Sequence, residues 1–496
     1  MDNKIKHPQW ATQHRKPGTE LKLIGGKYYL YGVKSEYDKT TKKSKKISLG
    51  IIGRITEQDG LVPSEKNYLK EKSKFSVNPA ELFSYEYGYS KWLIDTLENE
   101  GITSQLKQFF PDLWEFIVFM VYCRTAHKAP LKNIPFFQSE SYITTLLQLK
   151  GQLTDQKVSD ALFELGKKKA AIHDFMQPKD QQKRTVLMDA TDISLNSKGI
   201  ALSAEGYNAK MNFEPQFVLL YLYDANTYRP LYYRLLPGNI REISALKNVV
   251  NLCGLADCVY IADKGFYSAA NIQELERLNM EYIIPLKRDN KIINYNLLQN
   301  IELSENYFEF DKRFIFHAET LNVDGRKIEV FLDGRLRELE KTDYLKRIKT
   351  VPESYSKEKF NTRIAAMGTL SIIHNSTKAA NEIYWEYKSR GEIEQFFDHF
   401  KNTINASSSN MQREESLNGW MFINHLSMLV IYRLFEQLKN TPLNNKQKLS
   451  HKYSINDVIM HLQSIKKIKY NQGKELVTEP NKLTKILLEK LRISIT

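Results

Sequence analysis

Three acidic residues stand where carboxylates are costly unless they have work to do. Asp189 lies mid-strand in TVLMDATDISL, a segment apolar on both faces. A lone buried carboxylate there costs several kcal/mol unless it is paired or holds a metal. Asp263 closes the next apolar run, CVYIAD, at the carboxyl end of a predicted strand, where open α/β sheets place their sites. Glu394 falls in YWEYKSRGEIEQFFDHFKNTI, which reads as one long helix starting near Ile383. Two strand carboxylates and one helix carboxylate can converge on one point. Hard oxygen donors in that number suit Mg²⁺, and a pair of such ions can activate a water or 3′-hydroxyl for in-line displacement at phosphorus.

Around Glu394 the helix carries a polar stripe. At 100° per residue, with Tyr387 at 0°, Arg390 falls at about 300°, Glu394 at about 340° and Lys401 at about 320°. Ile393, Phe396, Phe397, Phe400 and Ile404 form the neighbouring apolar face at about 180–280°. The alternative reading of the stripe is a solvated surface with Arg390–Glu394 as an ordinary i,i+4 ion pair.

The elements that must position these groups can be read in order. After Thr185 come three strands, Thr185–Leu195, PQFVLLYLYD and RPLYYRLLPG. A helix-like Ile243–Leu252, the strand CVYIAD, a helix over Ser268–Leu278 and the strand EYIIPL follow. A three-strand meander followed by crossover units fits an α/β domain of the RNase H type. Residues 290–375 interrupt it with two strand-like runs, a charged helix and the strand in MGTLSIIHN.

Tyr387, Arg390, Glu394 and Lys401 keep the spacing Y-x2-R-x3-E-x6-K, which resembles the YREK signature of bacterial insertion-sequence DDE transposases. MDATDIS resembles their first-Asp segment, IADKGFYS the second, LLPGNIREISAL the P-G-N segment between them, and GTLSIIHN the strand before the last helix. The resemblance covers about 185–425. It implies an RNase H-like core that binds two divalent ions, Mg²⁺ with Mn²⁺ able to substitute. It implies cleavage of double-stranded DNA at terminal inverted repeats and joining of the 3′ ends to a target, within a homodimer holding both ends. Carried over, the catalytic and metal residues are Asp189, Asp263 and Glu394. Tyr387, Arg390 and Lys401 would contact DNA phosphates. Asp192 follows Asp189 on the opposite strand face, and the D-x-T pattern completed by Thr191 favours Asp189.

Charge points the same way. Lys+Arg exceed Asp+Glu by 72 − 58 = 14. The excess sits at the two ends, which suits a polyanionic partner. Tyr28–Tyr31 and Ile47–Ile52 read as strands flanking a basic connection with Lys42, Lys43, Lys45 and Lys46, suited to a DNA groove or backbone; an ordinary hairpin with a soluble tip is the alternative.

The expected organisation is multidomain, α+β and α/β. It has a basic β-ribbon over 1–80, a helical domain over 81–180 that would bind end DNA, and a core over 181–289 plus 376–440. An insertion domain spans 290–375, and a basic helical tail 441–496. Three cysteines make no disulfide framework and no zinc-finger spacing, which suits a reducing compartment. The chain shows no secretory signal, and its longest apolar run, Trp114–Cys123, is too short to span a membrane. A bacterial cytoplasmic, nucleoid-associated protein is expected. No histidine has Arg three residues on, against a tyrosine recombinase, and no phosphate-binding G-x-x-x-x-G-K-[ST] occurs. The rival readings are a degenerate DNA-binding protein and a structure-specific nuclease on the same fold.

Overall fold

The computed structural model describes residues 7–38, 43–64, 82–178, 183–197, 199–206, 214–239, 258–322, 324–470 and 473–495. It divides into two compact units, Met1–Phe83 with Lys469–Glu475, and Ser84–Ile468 with Leu476–Thr496. Among the described residues no helix is long and apolar enough to cross a membrane.

The first unit is built on a four-stranded antiparallel sheet, β1 (Thr19–Ile24), β2 (Lys27–Asp38), β3 (Lys43–Thr56) and β4 (Gly60–Pro63), in that order. Leu21, Leu30 and Ile55 close with Ala11 into a small core, and Trp10 and Tyr28 pack on it. The two central strands run further than the sequence pattern indicates. Lys43, Lys45 and Lys46 therefore belong to β3 and not to a connecting loop. The register slips at Leu30/Tyr31 and Gly32/Val33, irregularities that let an unusually long ribbon twist. Lys45 and Lys46 are exposed, and Lys46 pairs with Glu20 at 2.8 Å. Lys42 lies outside the described residues, as do one of the three cysteines, Cys253, and the expected helix Ile243–Leu252.

In the second unit the helices α1 (Gly88–Asn99), α2 (Ile102–Phe109), α3 (Trp114–His127), α4 (Asp155–Lys167) and α5 (Lys169–Met176) precede the sheet. α3 is buried from Phe116 to Thr125, which explains its nearly unbroken apolar sequence. Arg124 inside it is 2% exposed. Its guanidinium donates to Asn424 Oδ1 (3.1 Å) and to the carbonyls of Ala129 (3.2 Å) and Ile404, and lies over the Trp420 ring at 4.4 Å. A buried charge is tolerated when its donors are satisfied in this way.

The core sheet follows: β5 (Arg184–Leu195), β6 (Pro215–Asp224), β7 (Arg229–Pro237), β8 (Cys258–Ala262), α6 (Ala269–Arg277) and β9 (Glu281–Pro285). β5, β6 and β7 form the antiparallel meander, and β8 and β9 add in parallel on the other side of β5. The spatial order β7-β6-β5-β8-β9 is the RNase H-like arrangement expected from the element order. β10 (Tyr307–Phe310), β11 (Arg313–Leu321), β12 (Lys327–Asp333), α7 (Gly334–Thr350) and β13 (Thr369–His374) come next.

Residues 290–375 are not a separate body. β13 pairs antiparallel with β9, and β12, β11 and β10 continue outward from it, so that among the described residues the sheet grows to eleven strands. The helical segment, the core and the insertion share one unit.

The chain then passes through α8 (Ala380–Lys388) and α9 (Gly391–Asp398) to α10 (Glu414–Asn440). α10 meets α4 at backbone distance. A Cβ on Gly166 would lie 1.6 Å from the Glu415 carbonyl oxygen, and one on Gly419 2.2 Å from that of Leu162. Glycine at both positions is what lets the two helices touch. The tail is only partly helical. α11 (Ile455–Gln463) and α12 (Lys482–Lys490) flank two strands, Lys466–Tyr470 and Lys474–Val477.

Candidate active site

The single long helix expected from Ile383 to Ile404 is interrupted twice. At its first break the backbone tightens, with Arg390, Glu392 and Ile393 each bonding three residues back to Tyr387, Ser389 and Arg390. At its end it widens into a π turn over His399–Thr403. The apolar face survives both breaks. Ile393, Phe396, Phe400 and Ile404 are all fully buried. Tyr221, directly opposite Asp189 in the β5–β6 register, lies 4.4 Å from the Phe396 ring and bonds His425 Nδ1 through its hydroxyl. α9 is tied to α10 by Lys439 Nζ on Glu392 Oε1 at 2.5 Å. The helix is thus pinned across the face of β5 and β6 that carries Asp189.

Asp189 and Asp263 meet through strand register. β8 runs parallel to β5 with Ala262 beside Met188, so the next residue of each strand is an aspartate. Pairing on this edge of β5 ends at Met188 and resumes at Ser194, where Ser408–Ser409 joins, and Asp189 borders the interval. Asp263 also accepts, through its carbonyl, the Phe266 N–H at 2.9 Å, which turns the chain sharply into the loop before α6.

Arg390 joins the three acids. Its Nη2 lies 3.3 Å from Asp189 Oδ2 and 3.7 Å from Asp263 Oδ1, and its Nη1 lies 2.7 Å from Glu394 Oε1. The i,i+4 pair on the helix is present, but it is one arm of a three-carboxylate cluster and not a solvated surface pair. The Arg390 side chain is 18% exposed, against 15%, 33% and 60% for Asp189, Asp263 and Glu394. Burial pushes the Asp189 carboxyl up to about 6, with Arg390 opposing that rise and the two neighbouring acids adding to it. Burial disfavours the Arg390 cation, yet Asp189, Asp263 and Glu394 outweigh it and hold its pKa above the ordinary value. Burial likewise raises the Tyr387 phenol, whose surroundings include the same four charges.

Asp192 is placed apart. Gln216 Nε2 donates to its Oδ1 at 3.4 Å, and the charge of Lys401 acts on it, while burial lifts its pKa. The stripe therefore divides. Tyr387, Arg390 and Glu394 gather at Asp189 and Asp263, while Lys401, carried round by the π turn, lies toward Asp192. Gln216 carries no sequence signal that could have marked it, since it is one polar residue at the start of an apolar strand.

The donor set fits a divalent metal. Three carboxylates converge on one cation, which leaves an excess of negative oxygen donors for a divalent ion to take up, and burial raises the pKa of the most buried of them, Asp189.

Residues 180–430 match the family model of the transposase DDE domain. That match covers half of the sequence, and the chain belongs to the DDE transposase family. It is a DNA transposase, a metal-dependent enzyme of DNA cleavage and strand transfer. Solved structures similar to it include a piggyBac transposase synaptic complex with hairpin DNA, at 9% identity and a TM-score of 0.39 over 70% of this chain and 69% of that one. A Mos1 transposase paired-end complex with the left transposon end is similar at 16% identity and a TM-score of 0.15, over 32% of this chain and 54% of that one. No curated protein matches the sequence significantly.

Proposed function

We propose that this transposase cuts at the terminal inverted repeats of an insertion sequence and joins the 3′ ends to target DNA, with Asp189, Asp263 and Glu394 as ligands of two Mg²⁺ ions. The observation that carries the assignment is the convergence of all three carboxylates on the Arg390 guanidinium, at 2.7 to 3.7 Å. Such ions would supply an activated water or 3′-hydroxyl and charge stabilisation at the leaving oxygen. Mn²⁺ suits the same oxygen donors.

The side chains do the rest. The acids fix the place of the reacting phosphate. Arg390, displaced from them, becomes available for a phosphate oxygen, with the Tyr387 hydroxyl beside it. Lys401 and the ribbon lysines Lys42, Lys43, Lys45 and Lys46 would add contacts to the backbone of end DNA. The helical segment 81–180 contributes to end binding, and two copies of the chain hold the two ends together. The protein works in the bacterial cytoplasm, on the nucleoid.

The test is Asp189→Asn, Asp263→Asn and Glu394→Gln, each keeping shape and removing a ligand charge. Each is expected to abolish cleavage and joining with Mg²⁺ while end DNA is still shifted in a gel. A variant that cuts like wild type removes that residue from the site, and Asp192→Asn in the same assay checks the choice between the aspartates. Cutting without joining by the wild type would make the chain a nuclease, and end binding without cutting a degenerate transposase.

A further inference from the structure

We propose that the outer strands of the sheet carry a zinc site, separate from the catalytic carboxylates and formed by Glu319, Glu329 and His374. The carboxylate and ring-nitrogen atoms of these residues all lie within 4.8 Å of one another. Strand register puts them there. Glu319 on β11 stands directly opposite Glu329 on β12, and Lys327, two residues before Glu329, stands opposite His374 on β13. Residues two apart share a face, so all three side chains leave the same side of the sheet.

His374 is 1% exposed, and among the described residues neither ring nitrogen has a hydrogen-bond partner of normal geometry. A buried imidazole whose ring nitrogens lack well-formed hydrogen bonds is a costly way to fill space. Burial holds its pKa below the ordinary value, so it stays neutral, with a lone pair free to bind a cation. The backbone of Ser376 lies beside the ring, on hand to orient it as backbone carbonyls orient metal-bound histidines.

The glutamates supply the second half of the argument. Two carboxylates directly opposite each other across an antiparallel pair repel. Glu329 is 3% exposed, and His317 Nδ1 lies 2.7 Å from its Oε1, which fixes its direction. Glu319 is exposed and leaves a way in from solvent; Lys327, 3.5 Å from it, is the cation that an incoming metal would displace.

A mixed nitrogen and oxygen set selects zinc over Mg²⁺, which prefers oxygen alone. Donors around Zn²⁺ at ~2.0–2.1 Å sit about 3.3 Å apart in a tetrahedron. The cluster thus needs a closure of about 1.5 Å at most, within reach of the exposed Glu319 side chain. Bound zinc would staple β11 and β12 to β13, the strand that pairs with β9 of the catalytic core.

The experiment uses the full-length chain carrying Asp189→Asn and Asp263→Asn, stripped with chelator, so that catalytic carboxylates do not compete. Calorimetry with Zn²⁺ is expected to give one site of micromolar affinity or tighter. Co²⁺ is expected to show visible bands of a nitrogen-ligated ion, and Zn²⁺ to raise the melting temperature. Glu319→Gln, at an exposed position, is expected to keep the fold and lose about tenfold or more in affinity. His374→Gln is expected to abolish the Co²⁺ bands. Zinc binding weaker than micromolar, or Glu319→Gln binding as tightly as its parent, overturns the site. Neither result bears on whether Asp189, Asp263 and Glu394 cut DNA, which the cleavage assay decides.

Discussion

Arg390 already pairs with all three acids, so it competes with any metal for them. This sets it apart from a surface cation, whose removal usually changes stability by under about 0.5 kcal/mol. Arg390→Ala leaves three carboxylates facing one another without a counter-charge. The metal-free variant is expected to lose about 1–3 kcal/mol, less than a fully buried pair would cost, because Glu394 is largely solvated. It is also expected to bind Mg²⁺ more tightly than wild type and to cut more slowly. Thermal melts with and without Mg²⁺ separate these effects, and a variant that melts like wild type without metal would refute the competition. Asp189 adds a pH dependence. Its carboxyl titrates near 6 in the folded chain, above the ordinary aspartate value. The folded state therefore holds a proton that the unfolded chain has lost, and the metal-free fold weakens as pH rises from about 4 to 6. Metal needs the anion, so its affinity runs the other way. It is expected to be about tenfold lower at pH 5 than on the plateau above pH 7, measured by calorimetry.

The α9 segment shows how far an element can be read from its sequence. Its apolar side was legible because it depends on nearest neighbours in a helix, and Phe396 and Phe400 are both fully buried. Phe396→Ala and Phe400→Ala are expected to cost about 3–5 kcal/mol each in denaturant melts, the first leaving a cavity against Tyr221, Tyr223 and Tyr432 and the second one against Phe396. The polar side was legible only in part. A stripe drawn at constant pitch joins Lys401 to Glu394, but the tight turn at Arg390 and the π turn at His399 change the pitch, and that depends on contacts with β5 and α10. Asp189 and Asp263 could be picked out because each interrupts or ends an apolar run, whereas Glu394 lies in an ordinary polar stripe and was named only by the Y-x2-R-x3-E-x6-K resemblance. The His374 cluster could not, since Glu319, Glu329 and His374 follow the alternation of ordinary strands and meet only through pairing across three of them. The lysines of β3 fall between these cases: their charge was plain, but bulges that keep a long strand paired leave no compositional mark.

At the scale of the whole molecule, the point where β13 returns beside β9 has a topological meaning. Ile283 pairs with His374 and Pro285 with Ile372, and Leu286 N–H donates to the Ser371 carbonyl at 2.8 Å. The chain leaves and re-enters the sheet at neighbouring points, in opposite directions. Everything between Leu286 and Leu370 is a detour that a two-residue turn could replace, because antiparallel neighbours need no crossover. The shortened chain is expected to retain a cooperative melt. It would also bare the flank of β13 now covered by β12, turning an interior strand into a free edge with unpaired N–H and C=O groups. Light scattering is expected to show such a chain self-associating, and a monodisperse sample would show that the excised cassette is not what keeps these molecules from adding to one another strand by strand.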